Sequence, residues 1–96
     1  MATTPEGKVK KKVREILDKK GAYYFMPATG GFGRSGVPDF IGCINGVFFG
    51  IECKAGKGIP TALQEREIKN IIKAGGYAWV VNEENVDKLE KMLEGI

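Results

Sequence analysis

Residues 36–54, GVPDFIGCINGVFFGIECK, decide how the rest of the chain is read. Asn45-Gly46 lies between two runs rich in Val, Ile and Phe, the strongest short-range signature of a hairpin closed by a two-residue turn. Such a turn fixes the register, with Ile44 facing Val47 and Cys43 facing Phe48. Carried outward, the register sets Asp39 opposite Glu52, with Cβ atoms about 5 Å apart on one face. Lys54 lies two residues beyond Glu52 on the same strand and shares that face. Two carboxylates and a lysine thus converge at the open end of an otherwise apolar hairpin. Opposed like charges repel. A hard divalent cation such as Mg²⁺ or Mn²⁺, which takes one or two carboxylates plus waters and phosphate, offsets that repulsion. An isolated E-x-K reads as an edge-strand salt bridge; the opposition of Asp39 favours the metal.

Outward from the hairpin, each flank has its own punctuation. Pro5 at a first helical position, followed by Glu6, predicts a helix to about Lys20 that stops at Gly21. Val9, Val13, Ile16 and Leu17 form its apolar stripe. Glu6 projects into that stripe, where it either complements the helix dipole or reaches toward a metal site. Glu15 falls on the lysine-rich side as a solvated partner. Residues 22–26, AYYFM, read as a first strand, and TGGFGRSG (29–36) as a glycine-rich loop in which Arg34 and Ser35 are candidate phosphate contacts. It is not a P-loop, since no G-K-[ST] ends it. The hairpin is apolar on both faces, Phe40, Ile44, Phe49 and Ile51 on one and Ile41, Cys43 and Phe48 on the other, which predicts helices packed on each.

After Lys54, the loop AGKGIP carries Lys57 as another possible phosphate contact. Thr61 with Gln64 three residues on is a capping box. It opens a helix to about Ala74 with Ile68, Ile71 and Ile72 inward, and Gln64 projects into the same face. YAWVV (77–81) is a strand parallel to a neighbour, because it returns from a crossover helix. A last helix follows Asn82–Asn85, with Val86, Leu89 and Leu93 as its stripe. The predicted order is α-β-β-β-α-β-α, a mixed α/β arrangement with a central sheet flanked by helices.

Composition bounds the function. The 96 residues suit one domain, 1–96, with residues 1–4 a flexible lead. Hydrophobic content of 43% with 28% charged residues reads as soluble and globular. No apolar run approaches twenty residues, so no membrane partner is expected. Cys43 and Cys53 point to opposite sides of the hairpin and lack zinc-ligand spacing, which favours a reduced, intracellular protein. The chain contains no histidine, excluding His-based nucleases and Ser-His-Asp hydrolysis. Net charge is only +3, but seven of the fifteen Lys and Arg residues fall between Lys8 and Lys20. That face, with Lys8, Lys11 and Lys12, suits a polyanion or simply keeps the helix soluble.

The element order, with P-D at 38–39 and E-C-K at 52–54, resembles the PD-(D/E)XK nuclease superfamily. More narrowly, G-V-P-D, I-E-C-K, Gln64 in the next helix and A-G-G-Y before a V-V strand resemble the VRR-NUC (virus-type replication-repair nuclease) family, in style its stand-alone phage-encoded members. The resemblance implies a restriction-endonuclease-like core in the cytoplasm of a cell, such as a phage-infected bacterium. It implies a Mg²⁺- or Mn²⁺-dependent endonuclease in which Asp39, Glu52 and the Cys53 carbonyl hold metal. Lys54 would position or activate the attacking water, Gln64 would orient the lysine or water, and Glu6 would be a further acidic contact. The implied partner is branched DNA, foremost four-way junctions cut by a homodimer, with Met92 and Ile96 of the last helix as candidate interface positions. A flap endonuclease is the alternative within the class, and a non-catalytic nucleic-acid-binding module the alternative outside it.

Overall fold

The computed structural model describes residues 4–28 and 33–96. Residues 1–3 of the expected lead and 29–32 of the glycine-rich loop lie outside them. The elements run α1 (Pro5–Lys20), β1 (Tyr23–Phe25), β2 (Phe40–Ile44), β3 (Val47–Cys53), α2 (Ala62–Lys73) and β4 (Tyr77–Val81). A 3-10 turn (Val86–Lys88) then leads into α3 (Leu89–Glu94). This is the expected order. The four strands lie side by side as β1-β2-β3-β4, with β1, β2 and β3 antiparallel and β4 parallel to β3.

The hairpin forms in the register its turn demands: Phe40 faces Ile51, Cys43 faces Phe48 and Ile44 faces Val47. Asn45 and Gly46 both take positive φ, 52° and 79°, the backbone of a turn whose twist matches the flanking strands. The helix signals are also realised. Thr4 Oγ1 accepts from Gly7 N–H at 2.9 Å to cap α1, and Gly21 closes it in the left-handed conformation.

Strand alternation divides the sheet into two unequal faces. On one, Phe40, Ile44, Phe49, Ile51, Cys53 and Val81 bury against Val9, Val13 and Leu17 of α1 and against Val86, Leu89 and Leu93. Ion pairs from Lys19 and Lys20 to Glu90 (3.0 and 3.3 Å) close the seam between α1 and α3. On the other face, among the described residues, α2 packs mainly over β3 and β4. The expectation of helices on both faces therefore holds for half of that side. Among the described residues, Tyr23 and Phe25 of β1 stay 77% and 52% exposed and Phe48 of β3 45% exposed. Two assignments of inward residues change as well. Ile72 is exposed while Glu67 is buried, because the inward stripe of α2 runs through Gln64, Glu67, Ile68 and Ile71. Met92 and Ile96, expected as exposed interface positions, are half-buried against the core.

One close approach links fold to site. A Cβ on Gly50 would lie 2.9 Å from both Pro38 Cγ and Ile71 Cδ1. The bare backbone of β3 thus lets Pro38, the residue before Asp39, seat against the sheet beneath α2. Gly50→Ala should cost about 1–3 kcal/mol by overpacking and displace the Pro38-Asp39 segment. Denaturant unfolding would measure the stability loss, and a crystal structure of the variant would show the displacement.

Candidate active site

The site grows from the open end of the hairpin. Asp39 precedes β2, and its Oδ2 accepts a hydrogen bond from Cys53 N–H at 2.8 Å. The amide of the residue between Glu52 and Lys54 thereby fixes the aspartate against the end of β3. Glu52 is 2% exposed, and Lys54 Nζ stands 3.4 Å from its Oε2. Glu52 Oε1 is buried with no hydrogen-bond partner among the described residues. An orphaned buried carboxylate oxygen is costly in water-poor surroundings and is the atom a hard cation would take.

Electrostatics agree. Burial, and after it the charge of Asp39, pushes Glu52 up from 4.5 to about 7, with Lys54 pulling the other way. Cys53 points into the core, and burial followed by the charges of Asp39 and Glu52 pushes its thiol up to about 12. It therefore stays protonated and offers no thiolate ligand.

Glu6 reaches the site indirectly. Its Oε2 lies 3.5 Å from Lys10 Nζ, one helical turn on, and the same ammonium lies 3.7 Å from Asp39 Oδ1. Burial opposes the charge on Lys10, but Asp39 and Glu6 outweigh it and raise its pKa above the usual lysine value. Gln64 serves the capping box: its Oε1 accepts from Thr61 N–H at 2.9 Å, and Thr61 Oγ1 accepts from Gln64 N–H at 3.2 Å. The part of its amide left over for a ligand is the NH₂ donor.

The candidate DNA contacts are dispersed. Arg34 hydrogen-bonds Glu67 on α2, an interaction that holds the glutamate below its usual value despite burial. Ser35 and Lys57 are exposed, as are Lys8 and Lys11. Lys12 stands 4.0 Å from Asp87. Lys8 and Lys12 also line a groove of about 460 Å³ that Gly56 and Glu83 close on the far side. Gly56 N–H donates to Glu83 there at 2.7 Å, tying the loop after Lys54 to the end of β4.

Lys10 and Glu67 escaped the sequence reading. Lys10 could have been found from its four-residue spacing after Glu6. Glu67 sits at an inward helical position, but its partner lies 33 residues away across a loop, and no local pattern signals that.

A profile of the archaeal Holliday junction resolvase family (Hjc) matches residues 6–92. The chain belongs to this family. A solved structure described as "VRR_NUC domain" superposes with a TM-score of 0.77 at 30% sequence identity, covering 94% of this chain and 97% of the other. No curated protein matches the sequence. The PD-(D/E)XK and VRR-NUC resemblance and the restriction-endonuclease-like core are thus borne out, and these are nuclease families. Asp39, Glu52 and Lys54 fall inside the matched span, as do Glu6 and Gln64.

The residues fit a divalent ion of the Mg²⁺ type, which needs few protein ligands and keeps several waters. Two carboxylates with one orphaned oxygen meet that need. Among the described residues no set of three or more His, Cys, Asp or Glu side chains is grouped to cage a metal. Such a site would complete its shell from backbone, water and substrate.

The raised Glu52 makes the metal-free protein sensitive to pH. A carboxyl that binds its proton more tightly folded than unfolded loses stability for the fold as pH rises from the unfolded value toward the folded one. In EDTA, the melting temperature should therefore fall between about pH 4.5 and pH 7. Glu52→Gln should flatten that dependence. A thermal melt series across pH checks both.

Proposed function

We propose that the protein is a metal-dependent endonuclease that cuts branched DNA, four-way junctions foremost, as a homodimer. The observation that carries the reading is the pairing of Asp39, pinned by Cys53 N–H, with a buried Glu52 that has an unpartnered oxygen and Lys54 alongside. A non-catalytic binding module has no use for that arrangement, which costs stability. Membership of the Holliday junction resolvase family supports the choice of substrate.

In this reading Asp39, Glu52 and the carbonyl of Cys53 hold Mg²⁺ or Mn²⁺. When bound, the ion lowers the pKa of water and offsets charge developing on the scissile phosphate. The chain's own groups do the rest. Cys53 N–H keeps Asp39 oriented. Lys54, held by Glu52, positions the attacking water or relays its proton. The Gln64 NH₂, with its oxygen engaged in the cap, donates to a water or phosphate oxygen. In-line attack breaks P–O3′ and leaves a 5′-phosphate, with no covalent enzyme intermediate. The exposed Lys8, Lys11 and Lys57 supply positive charge along the duplex arms, with Arg34, Ser35 and Lys12 as further contacts.

A four-way junction needs two symmetric incisions and one such domain has one site, so a two-fold dimer matches the substrate. With Met92 and Ile96 packed against the core, one apolar surface available to a second copy, among the described residues, is that of Tyr23 and Phe25 on β1 and Phe48 on β3.

Labelled four-way junction, flap and linear duplex should be incubated with Mg²⁺, Mn²⁺ or EDTA. Paired metal-dependent nicks on the junction are the expected result. Asp39→Ala and Lys54→Ala should each lower cleavage by at least about 10³-fold while melting remains cooperative, an effect in the range of lost electrostatic stabilisation. Cleavage of flaps alone would keep the active site and replace the substrate. DNA binding without any cleavage would leave a binding module.

A further inference from the structure

The groups around Asp39 divide its two oxygens between different partners. Oδ2 is taken by Cys53 N–H. Oδ1 is left facing Lys10 Nζ at 3.7 Å, and that ammonium is also within 3.5 Å of Glu6. Neither member of the Lys10–Asp39 pair is freely solvated, with side chains 31% and 23% exposed. A lysine fully in solvent would give a pair of little consequence. Here the ammonium stands 3.7 Å from Oδ1, the Asp39 oxygen that the Cys53 amide does not use.

We propose that Lys10 is a resident counter-ion of the metal site, which neutralises Asp39 and Glu6 in the metal-free protein and competes with the divalent cation for Asp39 Oδ1. The proposal rests on the reading of Asp39 and Glu52 as metal ligands. It assigns Lys10 a positioning role that no carboxylate or lysine of the E-C-K strand performs. Two cations cannot share Oδ1 without mutual repulsion, so a metal there moves the ammonium aside. Lys10 then remains tethered by Glu6 one helical turn away, close enough to meet a phosphate oxygen. DNA that engages Lys10 would free Asp39, and by reciprocity metal would strengthen DNA binding through the same side chain.

The test is Mn²⁺ binding to DNA-free protein, followed by calorimetry at low ionic strength, with thermal melts in EDTA alongside. Lys10→Gln and Lys10→Met should bind Mn²⁺ about tenfold more tightly than wild type, roughly 1.4 kcal/mol. Both should melt at lower temperature than wild type in EDTA near pH 8, and Mn²⁺ should raise their melting temperature by more than it raises that of wild type. Lys10→Arg, which keeps the charge, should behave as wild type. Equal or weaker Mn²⁺ affinity in both neutral variants, with wild type binding and Asp39→Asn not binding, would overturn the role of Lys10 and leave the metal site standing. No Mn²⁺ binding by wild type would overturn the metal reading and this proposal together. The Met variant keeps the apolar stem, so a loss of packing is separable from a loss of charge.

Discussion

The two-residue turn at Asn45-Gly46 is the constraint on which the rest depends. A strand has a side-chain period of two, so a slip of one residue would turn every side chain of β2 or β3 to the other face. In the register observed, Phe40 and Ile51 meet in the core, and the next step outward brings Asp39 to the end of the strand that holds Glu52. The same pairing therefore builds the hydrophobic core and sets the carboxylates together. Gly50 extends the coupling, since its missing side chain makes room for Pro38 and hence for the approach of Asp39.

Such a site works against the stability of the fold that holds it. Burying Glu52 beside Asp39 raises its pKa toward neutrality and leaves one oxygen without a partner. The protein supplies partial compensation from three directions: the Cys53 amide, the Lys54 ammonium and the Lys10 ammonium. The amide contributes a fixed dipole that a cation need not displace. The two lysines contribute full charges carried on long side chains. Local conflict of this kind marks functional sites more often than structural ones.

The fold was legible because its signals are local. The Pro5 start, the Gly21 stop, the Thr61 capping box and the Asn-Gly turn each act within a few residues, and each element followed them. What was not legible depends on how elements lie over one another. Ile72 belongs to an apolar run yet faces solvent, because α2 packs mainly over β3 and β4 and turns Glu67 inward to meet Arg34. Met92 and Ile96 looked available on a short terminal helix, but burial of Val86, Leu89 and Leu93 seats that segment on the core and brings both side chains against it. For the site, spacing alone put Asp39 against the end of the strand bearing Glu52. It could not show that the Cys53 amide, rather than repulsion from Glu52, decides how Asp39 is oriented.

The lysine-rich face of α1 turns out to have a divided role, and that division follows from its position between two other elements. Lys19 and Lys20 at its C-terminal end are spent on Glu90 and Glu94 of α3, where they also complement the helix dipole. Lys10 near the N-terminal end turns toward Asp39. Lys8 and Lys11, on either side of Lys10 in the chain, remain exposed. Charge along this helix is thus divided by what its neighbours offer: the carboxylates of α3 take its C-terminal lysines, and Asp39 takes Lys10.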